Sequence, residues 1–190
     1  MSTETRILII SLGGLGDQLM FLPALKKIRN NYKNPHITFL LESRSRGIKE
    51  LTPYIDEIIE FDSKSFKKTL NLYKKFIMEK YSCIISVIPS LMVLPLIFIA
   101  RLKGTKDITG FSSLQNKNAR NIINFRKALF NKFLSKVLYY DNKKYIPKEL
   151  YNAIGFDNKE ISVIPEIIID EKNIQWAKDQ IGLNEKPIIA

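Results

Sequence analysis

The chain opens with Ile7, Leu8, Ile9 and Ile10, then Ser11 and Leu12, and then Gly13, Gly14, Leu15, Gly16 and Asp17. A short aliphatic run bounded by glycines suits a strand buried on both faces, as in a parallel sheet. Glycines let the backbone turn sharply and let another molecule approach it closely. Asp17 falls where a helix starts, and that helix continues through Ala24, Leu25 and Ile28. The result is a strand, a glycine turn and a helix N-terminus with one carboxylate at its mouth. In open α/β sheets, ligands bind at that edge, beyond the carboxyl ends of the strands.

The same residues narrow the choice of ligand. A P-loop needs Lys followed by Ser or Thr after its last glycine, and Asp17 and Gln18 follow Gly16. A dinucleotide fingerprint counted from Gly14 and Gly16 places Leu19 at its third position, where glycine or alanine allows close helix–strand packing. Asp17 would also set a negative charge against a pyrophosphate. Glu42, at the end of the second apolar run, could still mimic the acidic residue that grips a ribose. A Rossmann-like nucleotide or NAD domain binding at the Gly13–Gly16 turn therefore stays open, as does a non-catalytic binding domain.

Along the chain, apolar runs alternate with amphipathic stretches. Strands are expected near 6–11, 36–42, 57–61, 82–88, 107–111 and 161–168. Helices are expected near 17–32, 44–51, 65–80, 91–102, 121–140, 145–154 and 171–181. This order predicts a Rossmann-like, doubly wound, mostly parallel α/β sheet with helices on both faces. The first domain is expected to run from 1 to 168, with 169–190 as a linker. Pro165 suits an edge or linker better than a central strand. The apolar stretch from Ile84 to Ala100 contains Pro89, Ser90 and Pro95, so it reads as a strand, a break and a helix rather than a membrane span.

With 190 residues the chain is ample for one domain and short for two. Its single cysteine, Cys83, excludes an intramolecular disulfide framework, suits a reducing cytoplasm and reads as a small buried hydrophobe. One histidine, His36, leaves no material for a triad or a His-rich metal site beyond itself. No Asp-x-Asp pair of the kind that holds a divalent metal occurs. The net charge of +11 asks for an anionic partner. Lys64, Lys67, Lys68, Lys74, Lys75 and Lys80 crowd one helix after the third strand, and Arg44 and Arg46 follow the second. Arg44, Arg46, Lys64, Lys67 and Lys68 are best placed for the ligand edge, although a solvated helix face is the ordinary use of such residues. No aromatic–basic RNA motif or DNA-reading helix pair is present, so no nucleic-acid partner is expected.

The turn from Ser11 to Leu19, followed by Leu22, Pro23, Ala24 and Leu25, resembles the opening of the heptosyltransferases, glycosyltransferases of family 9 with the GT-B fold. Weaker likenesses follow in order at Pro53–Phe61, Lys103–Phe111, Leu150–Phe156 and Lys186–Ala190. The resemblance implies the acceptor-side half of a two-domain, inverting bacterial enzyme, with 169–190 leading into a donor-binding half. It implies Asp17 as the base that takes the acceptor hydroxyl proton. Gly14, Gly16, Gln18, Lys64, Lys67 and Lys68 would bind substrate. The donor would be a nucleotide-sugar such as ADP-heptose, acting as co-substrate with no further cofactor. The acceptor would be the anionic core of lipopolysaccharide or another surface glycan. The setting would be cytoplasmic, with peripheral contact at the inner membrane face, and this half alone would be inactive. A plainer use of Asp17 is to cap its helix by bonding its own backbone.

Overall fold

A computed structural model describes residues 4–62, 65–87, 93–113, 132–155 and 164–181. Its strands are β1 (Thr5–Ser11), β2 (Pro35–Glu42), β3 (Glu57–Phe61), β4 (Cys83–Ser86), β5 (Asp107–Ser113) and β6 (Lys136–Tyr140). Its helices are α1 (Leu15–Asn31), α2 (Phe66–Met78), α3 (Leu94–Leu102), α4 (Ile146–Ala153) and α5 (Glu171–Ile181), with a 3-10 helix at Ser43–Leu51. The six strands form one sheet in the order β3-β2-β1-β4-β5-β6, and every neighbouring pair is parallel. The doubly wound, Rossmann-like architecture follows, with the order reversing between β1 and β4.

The aliphatic run makes β1 central. Ile7, Leu8, Ile9 and Ile10 are fully buried, and alternate residues face opposite layers. Ile7 and Ile9 pack with Phe39, Leu41, Phe21, Leu25 and Ile28 beneath α1, where Leu150 of α4 joins them. Leu8 and Ile10 pack with Leu40, Ile84, Leu72, Phe76, Leu96 and Ile97 beneath α2 and α3. Each such side chain contributes about 1.5–3 kcal/mol on burial. Register sets Ile9 between Phe39 and Ile85.

Two expected elements differ. A helix over 121–140 is contradicted at its end, because Lys136–Tyr140 form β6 beside β5; residues 121–131 lie outside the described set. Ser135 sets this pairing. Its hydroxyl donates to the Ile108 carbonyl at 2.9 Å and accepts from the Ile108 amide at 2.6 Å. The expected strand over 161–168 is not one across 164–168, the described part. That segment is a strap on the α1 side. Glu166 accepts from Lys26 at 2.5 Å and from the Tyr54 hydroxyl at 3.1 Å, and the Ile168 amide donates to the Leu51 carbonyl at 3.0 Å. Its ordering comes from side-chain ties rather than a sheet ladder. Beyond it, every described side chain of α5 except Ala177 is exposed. No helix among the described residues is long and apolar enough to cross a membrane; the stretch read as strand, break and helix contains β4 and α3, with 88–92 outside the described set.

Candidate functional site

The carboxyl ends of β1 and β4 meet where the strand order reverses, and the glycine turn leaves β1 at that point. Such a reversal opens a crevice between loops that run to opposite faces of the sheet. Gly14 is the N-cap of α1 with extended backbone, φ −71° and ψ 173°. Among the described glycines only Gly104 and Gly155 have positive φ, so Gly13, Gly14 and Gly16 are not required by a left-handed turn. The space around them is the better reason. A Cβ at Gly16 would meet nothing within 4 Å, which leaves the first turn of α1 open to an approaching molecule.

Asp17 sits in that first turn and is half-buried. Its Oδ2 accepts from the Gly14 amide at 2.8 Å, which is half of a capping box. Its Oδ1 accepts no hydrogen bond among the described residues. The carboxylate therefore serves the helix with one oxygen and has the other free for a second task. Gln18 is 1% exposed and turned inward. Its Nε2 donates to the Ser11 carbonyl at 3.0 Å and the Gly13 carbonyl at 3.3 Å, tying the end of β1 to the start of α1. Ser45, on the 3-10 helix after β2, donates to the same Gly13 carbonyl at 2.9 Å. Gln18 is thus a brace of the turn, with its remaining Oε1 and the neighbouring Ser11 hydroxyl buried and without a partner among the described residues.

Tyr140, at the carboxyl end of β6, joins this edge. Burial pushes its phenol above the ordinary value, and the Asp17 carboxylate adds to the shift. The phenol therefore keeps its proton near Asp17. Placing 136–140 in a helix hid this neighbour, and the apolar–aromatic run from Val137 to Tyr140 was the signal for a strand.

The lysine crowd divides. Lys67 and Lys68 lie in the first turn of α2, on the Asp17 edge, and Lys64 lies outside the described residues. Lys75 is at the far end of α2, paired with Glu57 and Glu79. Arg44 pairs with Glu42 at 2.6 Å, which occupies the carboxylate that a ribose would need in the nucleotide reading. Leu19 packs partly buried against the core, filling the place where that fingerprint wants a small residue. His36 faces Glu4 and Glu57 at the opposite edge. Cys83 is buried there, its thiol pushed up to about 12 by burial, as expected of a structural cysteine.

The architecture and this edge define one half of a GT-B-type fold. Solved structures agree. The chain superposes on a family 9 glycosyltransferase from Veillonella parvula with a TM-score of 0.68 at 21% identity, covering 97% of this chain and 51% of that one. It superposes on E. coli ADP-heptose lps heptosyltransferase II with 0.64 at 14% identity, covering 95% and 51%. For E. coli heptosyltransferase WaaC with ADP the score is 0.62 at 14% identity, covering 83% and 50%. The chain thus spans about half the length of these structures. No protein-family model and no curated protein matches the sequence.

Proposed function

We propose that this chain is the acceptor-side half of an inverting glycosyltransferase of the heptosyltransferase kind, with Asp17 as its general base. The carrying observation is the Asp17 carboxylate: half-buried at the strand-order reversal, with one oxygen bound by its helix and the other without a partner among the described residues. An acceptor hydroxyl within hydrogen-bond reach of Oδ1 would lose its proton there as its oxygen attacks the anomeric carbon of an activated sugar. The nucleotide leaves with the bonding electrons, and configuration inverts. Tyr140 would donate a hydrogen bond into the same edge. Lys67 and Lys68, with Lys64, would hold an anionic glycan acceptor such as a lipopolysaccharide core. Residues 1–168 would form this half and 169–190 the linker. The donor, an ADP-heptose-like nucleotide-sugar, would bind mainly to a second half, with no metal cofactor. The solved structures that share this fold include heptosyltransferases with ADP and with ADP-2-deoxy-2-fluoro heptose, which supports that donor class.

The test is sugar transfer from nucleotide-sugars to anionic glycan acceptors, by the 190-residue chain alone and by a protein joining it to a donor-binding half. Transfer is expected only from the joined protein. Turnover by this chain alone, or tight NAD binding at the glycine turn, would overturn the reading.

A further inference from the structure

A cavity of about 270 Å³ opens at the amino ends of β4, β5 and β6, on the face of the sheet that α1 covers. Its back is apolar: Ile85, Leu138 and Ile154 belong to the core packed beneath α1 and α4. Tyr32, the C-cap of α1, closes one side, and its hydroxyl donates to Cys83 Sγ at 3.6 Å. Strand register decides what else faces the space. Cys83 pairs with Asp107, and Thr109 pairs with Lys136. Side chains alternate along a strand, so Asp107, Thr109 and Lys136 share the face that bears Cys83.

Two opposite charges line this space without meeting. Asp107 and Lys136 both border the cavity, and both are exposed at its mouth. β5 and β6 run about 4.8 Å apart, and Lys136 stands opposite Thr109, two residues on from Asp107. Among the described residues Lys136 nonetheless pairs with no carboxylate, and Asp107 with no cation. Asp107 Oδ1 accepts from the Thr109 hydroxyl at 3.3 Å. Elsewhere along this edge the acids are matched: Asp56 by Arg29, Glu57 by Lys75, and Glu79 by Arg6. The open pair is the exception, and it flanks an apolar-backed cavity.

We propose that this cavity binds a small zwitterion, an α-amino acid with an aliphatic side chain. The ligand's ammonium meets Asp107, its carboxylate meets Lys136, and its side chain covers Ile85, Leu138 and Ile154. The volume falls just below the ~300–1,000 Å³ of drug-sized sites, which suits a ligand this small. Other classes leave a charge unanswered. A simple amine sets its cation beside Lys136, and a simple carboxylate sets its anion beside Asp107. A neutral apolar molecule strips water from both charges and replaces none of it. A metal ion finds no group of three histidine, cysteine or acidic side chains among the described residues. The cavity lies at the edge opposite Asp17, and α1 joins the two, with Asp17 in its first turn and Tyr32 as its C-cap. The inference does not depend on the reaction proposed above.

Titration calorimetry of the purified 190-residue protein with L-leucine tests it. Leucine should bind with about millimolar affinity or tighter, and saturating leucine should raise the melting temperature. Three analogues dissect the contacts on the unaltered protein. Leucinamide lacks the carboxylate, 4-methylpentanoate lacks the ammonium, and glycine lacks the side chain; each should bind about tenfold more weakly or worse. Asp107→Asn and Lys136→Met should each weaken leucine about tenfold or more. Lys143→Met, an equal loss of charge on the exposed loop after β6, should leave its affinity within about twofold. Asp107 and Lys136 are exposed, so both variants should fold, and the analogue series stands without them. Three results overturn the proposal: no heat and no melting shift with leucine up to about 10 mM, affinity for leucinamide or 4-methylpentanoate equal to that for leucine, or leucine affinity unchanged by Asp107→Asn or by Lys136→Met.

Discussion

At the amino edge of the sheet, carboxylates are held mainly by other side chains. Arg29 holds Asp56 through two contacts of 2.5 and 3.0 Å, the Ile37 amide adds a third at 2.7 Å, and Arg6, Lys75 and Tyr81 converge on Glu79. At the carboxyl edge, around β1, they bind the backbone instead: Asp17 takes the Gly14 amide, while Gln18 and Ser45 share the Gly13 carbonyl. Of the three buried side-chain atoms without a partner among the described residues, Ser11 Oγ and Gln18 Oε1 belong to this second edge, and Arg6 Nε to the first. A polar group that binds another side chain spends both on the fold. A group that binds the backbone with one atom retains another for a ligand. The contrast separates a fastening edge from a working edge.

The largest effect expected from this contrast is on turnover. Asp17→Asn keeps an oxygen for the Gly14 amide and removes the proton acceptor. In an enzyme that includes this half, kcat should fall on the order of a hundredfold or more, about 2.7 kcal/mol of barrier, with donor affinity little changed. The melting temperature should stay near that of the parent, because Asn caps nearly as well as Asp. Turnover that survived Asp17→Asn would make Asp17 a cap alone and erase the working edge.

The opposite result is expected at the fastening edge. Asp56→Ala strips three contacts from a half-buried network and should cost about 2 kcal/mol, a fall in melting temperature of about 4–8 °C in a chain of this size. Activity per folded molecule should not change. Burial works against the Asp56 charge, but the Arg29 hydrogen bond and the Ile37 amide outweigh it and hold the carboxyl below its ordinary value. A depressed carboxylate stabilises the fold at pH above its unfolded pKa, and that contribution is lost as pH falls through the lower folded value. The melting temperature of the parent should therefore drop on acidification below about pH 4, and Asp56→Ala should flatten that drop. Glu57, also held low against burial by Lys75, will leave part of the slope in place.

Gln18→Met is a middle case. It removes two donors from the Ser11 and Gly13 carbonyls but also removes the unpartnered Oε1. The net cost should be about 1 kcal/mol, because Ser45 still satisfies Gly13. Thermal melting reads that cost. A loss as large as that of Asp56→Ala would mean the turn fastens the fold as much as the amino edge does.

The working edge was legible where its information is local. Four aliphatic residues followed by glycines and Asp17 define β1, the turn and the start of α1 within one short stretch. Non-local information was harder to read. Phe133, Leu134, Val137 and Leu138 have a spacing that fits a helix face, and only pairing with β5 makes 136–140 a strand. That pairing is what carries Tyr140 toward Asp17. Ile164, Ile167 and Ile168 look like a strand in sequence, yet their order comes from Glu166, Lys26 and Tyr54, which lie far apart along the chain. The lysines after β3 form a single crowd in sequence, but α2 spans about 20 Å, so its two ends serve opposite edges.

The smallest effect is expected at the rim of the working edge. Arg44 meets Glu42 at 2.6 Å, but its side chain is 67% exposed. Solvent screens such a pair, and holding a long side chain in one rotamer offsets most of the attraction. Arg44→Ala should change stability by no more than about 0.5 kcal/mol, a shift of about 2 °C or less in melting temperature. The variant frees the Glu42 carboxylate, so it also gives the nucleotide-binding alternative its best chance: a ribose could then reach that acid. Binding of NAD should nonetheless stay undetectable, because Leu19 still fills the position that close helix–strand packing needs and Asp17 still faces the phosphates. A melting shift as large as that of Asp56→Ala would show that exposed charge pairs fasten the carboxyl edge too, and the contrast between the two edges would fail at its weakest point.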